Sequence, residues 1–124
     1  HEELIERVPH LLASTERAIV AAAIHPVVLA ARFHGFYEYL HPFLDGNGRT
    51  GRLVSNYVLL RCAHPLIIIP SDCRQEYISS LKKIRTEATD EHLIRFFFKM
   101  AVQRMKGEIE QKETNTQRFR TFVF

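Results

Sequence analysis

The sequence predicts a single all-α domain, and three observations carry that prediction. Five stretches place apolar residues at helical spacing, separated by Pro, Gly, Ser or Thr. The only β-branched run, "PLIIIP" at 65–70, is too short to form a sheet by itself. Finally, 124 residues with 46% hydrophobic and 25% charged side chains have the size and balance of one ordinary globular domain.

The elements follow in order. Leu4 to Ala23 reads as helix, with Leu4, Ile5, Val8, Leu11, Leu12, Ile19 and Val20 as its apolar positions. An interruption is expected near Pro9 and again at Ser14-Thr15, which could cap a second segment. Pro26 suits the first position of the next helix, "PVVLAARFHGFYEYL". Its apolar face is read as Val28, Leu29, Arg32, Phe33, Phe36, Tyr37 and Leu40, and Pro42 stops it.

A further helix begins near Arg49, with Leu53, Val54, Tyr57, Val58, Leu60 and Cys62 on its face. "PLIIIP" is then a short buried connector. "SDCRQEYISSLKKI" is a helix capped by Ser71 or Asp72, turning Tyr77, Leu81 and Ile84 inward. "TDEHLIRFFFKMAVQRMKGEIEQK" is the last, capped by Thr89 or Asp90 with acidic residues in its first turn. The domain core is drawn over 1–112. Residues 113–124, "ETNTQRFRTFVF", form a tail that is either packed or frayed.

Charge and composition limit the function classes. A net charge of +3 and a pI of about 9.1 permit an anionic partner without demanding one. No cluster of Lys and Arg interleaved with aromatics appears, so a nucleic-acid partner is not expected; the Arg-rich stretch 85–104 reads as a solvated helix face. Cys62 and Cys73, without a C-x-x-C pair, read as free thiols in a reducing, cytoplasmic setting. No apolar run approaches a membrane span and no signal peptide is visible. The chain opens on His1 rather than Met, as a piece of a longer protein would.

The chemistry concentrates in "YLHPFLDGNGRTGRL", residues 39–53. Asp-Gly and Asn-Gly are hairpin signals, but both flanks carry helical period, which leaves a helix-to-helix turn. A turn accounts for the glycines and not for Arg49 and Arg52. Those two sit three apart at the start of a helix, where the partial positive charge of the N-terminus disfavours cations by roughly 0.3–1 kcal/mol each. They make sense if an anion occupies that pole, cradled by backbone N–H groups of Gly46, Asn47 and Gly48.

Asp45 would repel a polyphosphate unless it holds Mg²⁺, which bridges phosphate oxygens; its plainer role is to start the turn. Of the three His-Pro pairs, only His41 precedes a glycine nest. Its imidazole could accept a proton at pH 7, an effect typically worth roughly 10²–10⁴ in rate. Phe43 is expected to anchor the loop in the core.

"HPFLDGNGRTGR" resembles the signature of Fic-domain proteins, His-x-Phe-x-(Asp/Glu)-Gly-Asn-Gly-Arg-x-x-Arg, at every specified position. The resemblance extends through the preceding "HPVVLAARFHGFYEYL" and the following "LVSNYVLLRCAHPLIIIP", covering about residues 3–105. It implies a Fic-type helical bundle with a glycine-rich anion-binding loop between two central helices. It also implies transfer of AMP from ATP to a Ser, Thr or Tyr hydroxyl of a target protein. By motif position, His41 is implied as general base and Asp45 as the Mg²⁺ ligand. Gly46, Asn47 and Gly48 would cradle the α- and β-phosphates, with the Asn47 side chain on the α-phosphate. Arg49 would reach the β- and γ-phosphates, and Arg52 the γ-phosphate.

In relatives the adenine site is lined by the helix here read as 71–88 and by a β-hairpin flap. Tyr77, Lys82 and Arg85 are placed to contribute to it; the plainer reading is a surface helix with one packed Tyr. The chain departs from the family in two ways. No Ser or Thr begins the inhibitory pattern (Ser/Thr)-x-x-x-Glu-(Gly/Asn), so an inhibitory helix is expected upstream, on an antitoxin chain in trans, or nowhere. The target-docking flap would fall before or at the start of the chain.

Three alternatives remain beside the adenylyltransferase: a related transferase using another phosphate-containing donor, a non-catalytic nucleotide-binding regulatory module, and a basic nucleic-acid binder. A homodimer is left open. The intact Gly-Asn-Gly-Arg favours AMP transfer, and the intact His41 and Asp45 argue against a merely binding role.

Overall fold

The computed structural model describes residues 2–123, with the side chains of Glu2, Phe122 and Val123 outside the description. His1 and Phe124, the outer ends of the expected core and tail, also lie outside the described residues. Five α-helices account for the fold: α1 (Glu2–Ala21), α2 (Pro26–Leu40), α3 (Asn47–Arg61), α4 (Arg74–Glu87) and α5 (Glu91–Val123), with a 3₁₀ turn at Ser71–Cys73. There is no strand among the described residues.

Helix α2 is the axis of the domain and packs against α1, α3, α4 and α5. Its own sequence explains this: Val27, Leu29, Ala30, Ala31, Phe33, His34, Gly35 and Tyr37 are all buried, a surface that wraps most of the helix. Against it stand Leu11 from α1, Val58 and Leu59 from α3, and Leu93, Phe96, Phe97 and Met100 from α5. Phe36 and Arg32, expected on the apolar face, are exposed, and Arg32 instead donates to Asp90 at 3.1 Å. His34 and Gly35 are buried in their place, and α4 approaches closely there: a Cβ on Gly35 would meet Ile84 Cδ1 at 2.7 Å.

Several boundaries differ from expectation. α1 runs unbroken through Pro9. The Ser14 and Thr15 hydroxyls donate back to the Leu11 carbonyl at 3.0 and 2.8 Å instead of capping a new helix. Packing of Leu11 and Thr15 against the domain sustains α1 across the missing N–H. Neither Ser71 nor Asp72 caps α4, whose start is Cys73 with no side-chain cap. Within "PLIIIP" only Ile67 is buried, pinned by reciprocal bonds between its backbone and the Asn56 carboxamide, while Leu66 and Ile68 are exposed.

Thr89 does accept from the Glu91 N–H at the start of α5. Helix α5 then continues through the segment set apart as a tail, with the Thr114, Thr116 and Thr121 hydroxyls bonded to the carbonyls four residues back. No Pro or Gly follows Gly107 to stop it. Cys62 and Cys73 are free and half-buried. Among the described residues no helix is long and apolar enough to cross a membrane.

Candidate active site

The charged loop connects the C-terminus of α2 to the N-terminus of α3. Pro42 prevents α2 from continuing, and His41 turns the chain by adopting a left-handed conformation (φ 49°, ψ 59°) while its N–H donates to the Tyr37 carbonyl. The imidazole is left exposed. Asn47 then locks the loop. Its Oδ1 accepts from the Phe43 N–H at 2.9 Å and its Nδ2 donates to the Phe43 carbonyl at 2.7 Å, and the residue is only 3% exposed. The Phe43 ring is 54% exposed, so the expected aromatic anchor is replaced by a polar one. The carboxamide fills the inner side of the loop and leaves the ring outside.

α3 starts at Asn47, two residues before the expected Arg49, with Gly46 (φ 80°) as its N-cap. No side chain caps this end and no acidic residue lies in its first turn. The first N–H groups of a helix have no intrahelical carbonyl to bond, so this pole offers donors and partial positive charge. The early start puts Arg49 in the first turn and Arg52 in the second. Gly46 is required here by its positive φ. Asp45 and Arg49 face each other at 3.4 Å with side chains 94% and 77% exposed, a pair worth at most about 1 kcal/mol and easily exchanged for another partner. Arg52 is half-buried and lies over the Tyr77 ring, its guanidinium carbon 5.9 Å from the centroid.

Behind the loop, α2 and α4 enclose a cavity of about 230 Å³. His41 lines it together with Glu38, Tyr39, Ile78, Leu81, Lys82 and Arg85. Lys82 and Arg85 are therefore at the cavity, and Arg85 is fixed there by donating to the Tyr39 carbonyl at 3.0 Å with its guanidinium 4.9 Å above the Tyr39 ring. Tyr77, grouped with them on sequence, is not in the lining. It is buried one layer deeper, its hydroxyl 2.8 Å from His34 Nε2.

Four residues of this layer were not singled out from sequence: His34, Glu38, Tyr39 and Ser55. His34 is fully buried, and desolvation lowers its pKa from 6.5 to about 4, with a hydrogen bond to the Gly51 backbone opposing the fall and the Arg52 charge adding to it. Its Nδ1 lies 3.2 Å from Ser55 Oγ, which donates to the Gly51 carbonyl at 2.6 Å. Gly51 must be small: an added Cβ would meet the His34 ring at 3.0 Å and Glu38 Oε1 at 3.1 Å. Burial raises the Glu38 carboxyl pKa, with His41 and Arg52 opposing that shift, and Glu38 Oε1 has no hydrogen-bond partner among the described residues.

The signal available in the sequence was positional: His34 is one turn from Tyr37 and Glu38 on the crowded side of α2. The buried face of α3 is correspondingly polar and small at its start (Asn47, Gly51, Ser55), and Leu53, Tyr57 and Leu60, expected inside, are exposed. Among the described residues no group of three His, Cys, Asp or Glu gathers as a metal cage.

The chain resembles known proteins in sequence and in fold. Residues 2–59 match the Fic/DOC family. The chain is 42% identical over 79 residues to the protein adenylyltransferase Fic of Drosophila grimshawi, covering 64% of this chain and 16% of that protein; the Drosophila virilis protein gives the same figures. The chain thus spans about one sixth of the curated relatives' length. Among solved structures, Fic-1 from C. elegans superposes with a TM-score of 0.82 at 28% identity, over 93% of this chain and 34% of that one. A Fic domain containing signaling protein from Bacteroides thetaiotaomicron gives 0.77 at 28% identity, over 82% of this chain and 44% of that one.

Proposed function

We propose that the chain, whose residues 2–59 match the Fic/DOC family, carries the catalytic core of a protein adenylyltransferase, moving AMP from ATP to a Ser, Thr or Tyr hydroxyl of a target protein with release of pyrophosphate. The observation that carries this reading is the position of His41. It lines the α2–α4 cavity and stands one short loop from the uncapped start of α3.

In this reading the nucleotide base occupies the cavity beside Tyr39, Lys82 and Arg85, and the phosphates run toward α3. The backbone N–H groups of Gly46, Asn47 and Gly48 receive the α- and β-phosphates. The Asn47 carboxamide, already bonded at both ends to Phe43, acts chiefly by holding that backbone in place. Arg49 leaves its weak pair with Asp45 for the β- and γ-phosphates, and Arg52 takes the γ-phosphate. His41 accepts the proton of the target hydroxyl as its oxygen attacks the α-phosphorus, and the bond to pyrophosphate breaks on the opposite side.

The residues present suit Mg²⁺: Asp45 is a lone, exposed, hard-oxygen ligand at the anion pole, and this ion takes one or two protein carboxylates with phosphate and water completing its shell. Asp45 would hold it, and the chemistry it would supply is neutralisation of phosphate charge. The two free thiols fit a reducing, cytoplasmic setting. A target protein is the required partner, and an inhibitory segment in cis or in trans, or a second copy of the chain, would add regulation.

The test is incubation with Mg²⁺ and ATP labelled on the α- or the γ-phosphate, beside His41→Ala. Label entering protein from the α position only, and absent from the variant, is the expected result. Label from the γ position only would mean phosphoryl transfer and a reversed phosphate register. Failure to bind Mg²⁺–ATP at all would remove the basis of the reading.

A further inference from the structure

The two loop arginines, three residues apart, are held in different ways. Arg49 has one exposed partner, Asp45. Arg52 makes no ion pair among the described residues, yet it is half-buried and lies over Tyr77. What fixes Tyr77 can be followed through donors and acceptors.

Ser55 has one hydroxyl proton, and its 2.6 Å contact with the Gly51 carbonyl consumes it. Toward His34, then, Ser55 Oγ can only accept, so the proton of the imidazole lies on Nδ1. A ring whose pKa has fallen to about 4 carries no second proton at neutral pH, which leaves Nε2 bare. Nε2 therefore accepts from the Tyr77 hydroxyl at 2.8 Å. The chain of bonds has one direction, from Tyr77 inward to Gly51, with no freedom to reverse. Tyr77 is left with its proton pointing inward, and its ring face and oxygen lone pairs remain available to a cation. Arg52 is the group that acts on it: burial drives the Tyr77 pKa up to about 12, the Glu38 charge adds to that, and the guanidinium opposes both.

We propose that Tyr77, oriented by His34 and Ser55, is a positioning residue that presets Arg52 for the γ-phosphate, so that the chain distinguishes a nucleoside triphosphate from a diphosphate. The inference rests on the functional reading above and assigns Tyr77 a role apart from the base cavity. A side chain as long as Arg normally has to be ordered when its ligand arrives; here the ordering is built into the fold.

The experiment measures Mg²⁺–ATP and Mg²⁺–ADP binding by calorimetry for the wild-type chain, Tyr77→Phe, Arg52→Ala and the double variant. Tyr77→Phe keeps the ring and removes only the hydroxyl. It should weaken ATP about fivefold, the scale of ordering one long side chain at binding, with ADP unchanged. The double variant should bind ATP no more weakly than Arg52→Ala alone. If Tyr77→Phe weakens both nucleotides equally, weakens neither, or adds its full effect to Arg52→Ala, Tyr77 only packs and the proposal is wrong. Should Tyr77→Phe not fold, Ser55→Ala removes the acceptor from His34 Nδ1; selective loss of ATP supports the relay and any unselective result overturns it. A wild-type chain that binds neither nucleotide defeats the functional reading and this inference together. A wild-type preference for ATP that depends on Arg52 but survives Tyr77→Phe defeats this inference alone.

Discussion

The outer face of the loop and the layer directly beneath it are built on opposite principles. Outside, His41, Asp45 and Arg49 are exposed, and the one ion pair among them is weak. Beneath, Asn47, His34, Ser55 and Tyr77 are buried and joined by bonds of 2.6–3.2 Å to one another or to backbone. The difference teaches a division of labour. Groups proposed to meet a substrate are left without strong partners, so little has to be broken before they can act. Their placement is fixed by polar groups that water cannot reach, where an unmade bond is costly.

The largest effect should come from removing His41, the base in the proposed reaction. His41→Ala is expected to lower adenylyl transfer by roughly 10²–10⁴ while changing stability by less than about 1 kcal/mol, measured by label incorporation and urea unfolding of the same preparation. A comparable loss of stability would mean that the outer face is not energetically separate.

The inner layer should show itself through pH. The His34 pKa is lowered by folding, so between about pH 6.5 and pH 4 the unfolded chain binds a proton that the native chain refuses. This contribution to stability is complete above pH 6.5 and is lost as pH falls toward 4. It amounts to about 3 kcal/mol at about 1.4 kcal/mol per pKa unit. Unfolding measured from pH 8 to pH 4 should show that slope, and His34→Gln should lack it.

Asn47→Ala tests the link between the layers. Losing two bonds to the Phe43 backbone should cost about 2 kcal/mol and depress transfer even with His41 intact. Unchanged thermal stability would show that the clamp is dispensable.

The smallest effect separates strain from function. Ala88 and His41 both end helices in the left-handed region, at φ 52° and 49°. Ala88→Gly should raise stability by about 0.5–1 kcal/mol with activity unchanged, because glycine is at ease there. His41→Gly should relieve a similar strain and abolish transfer.

Much of this was legible in the sequence because it is local. Pro26 and Pro42 bound α2 as local preference dictates, and the run from His41 to Arg52 gathers its glycines and charges by adjacency. Where the sequence reading erred, local preference met a packing demand. Pro9 and Ser14-Thr15 suggested breaks that α1 does not make, since burial of Leu11 and Thr15 outweighs them. Phe43 looked like an anchor because it is aromatic, but the small space under the loop suits a carboxamide.

By itself the sequence determined the helical class, the position of the loop and the kinds of groups it carries, all consequences of neighbouring residues. Only the tertiary structure decided that His34 meets Ser55, 21 residues on, and Tyr77, 43 residues on. It also drew Tyr77 away from Lys82 and Arg85 and set the tautomer of a buried imidazole. Those outcomes depend on how closely α2, α3 and α4 approach. That approach is set by Gly35 and Gly51, residues whose importance lies in the side chains they lack.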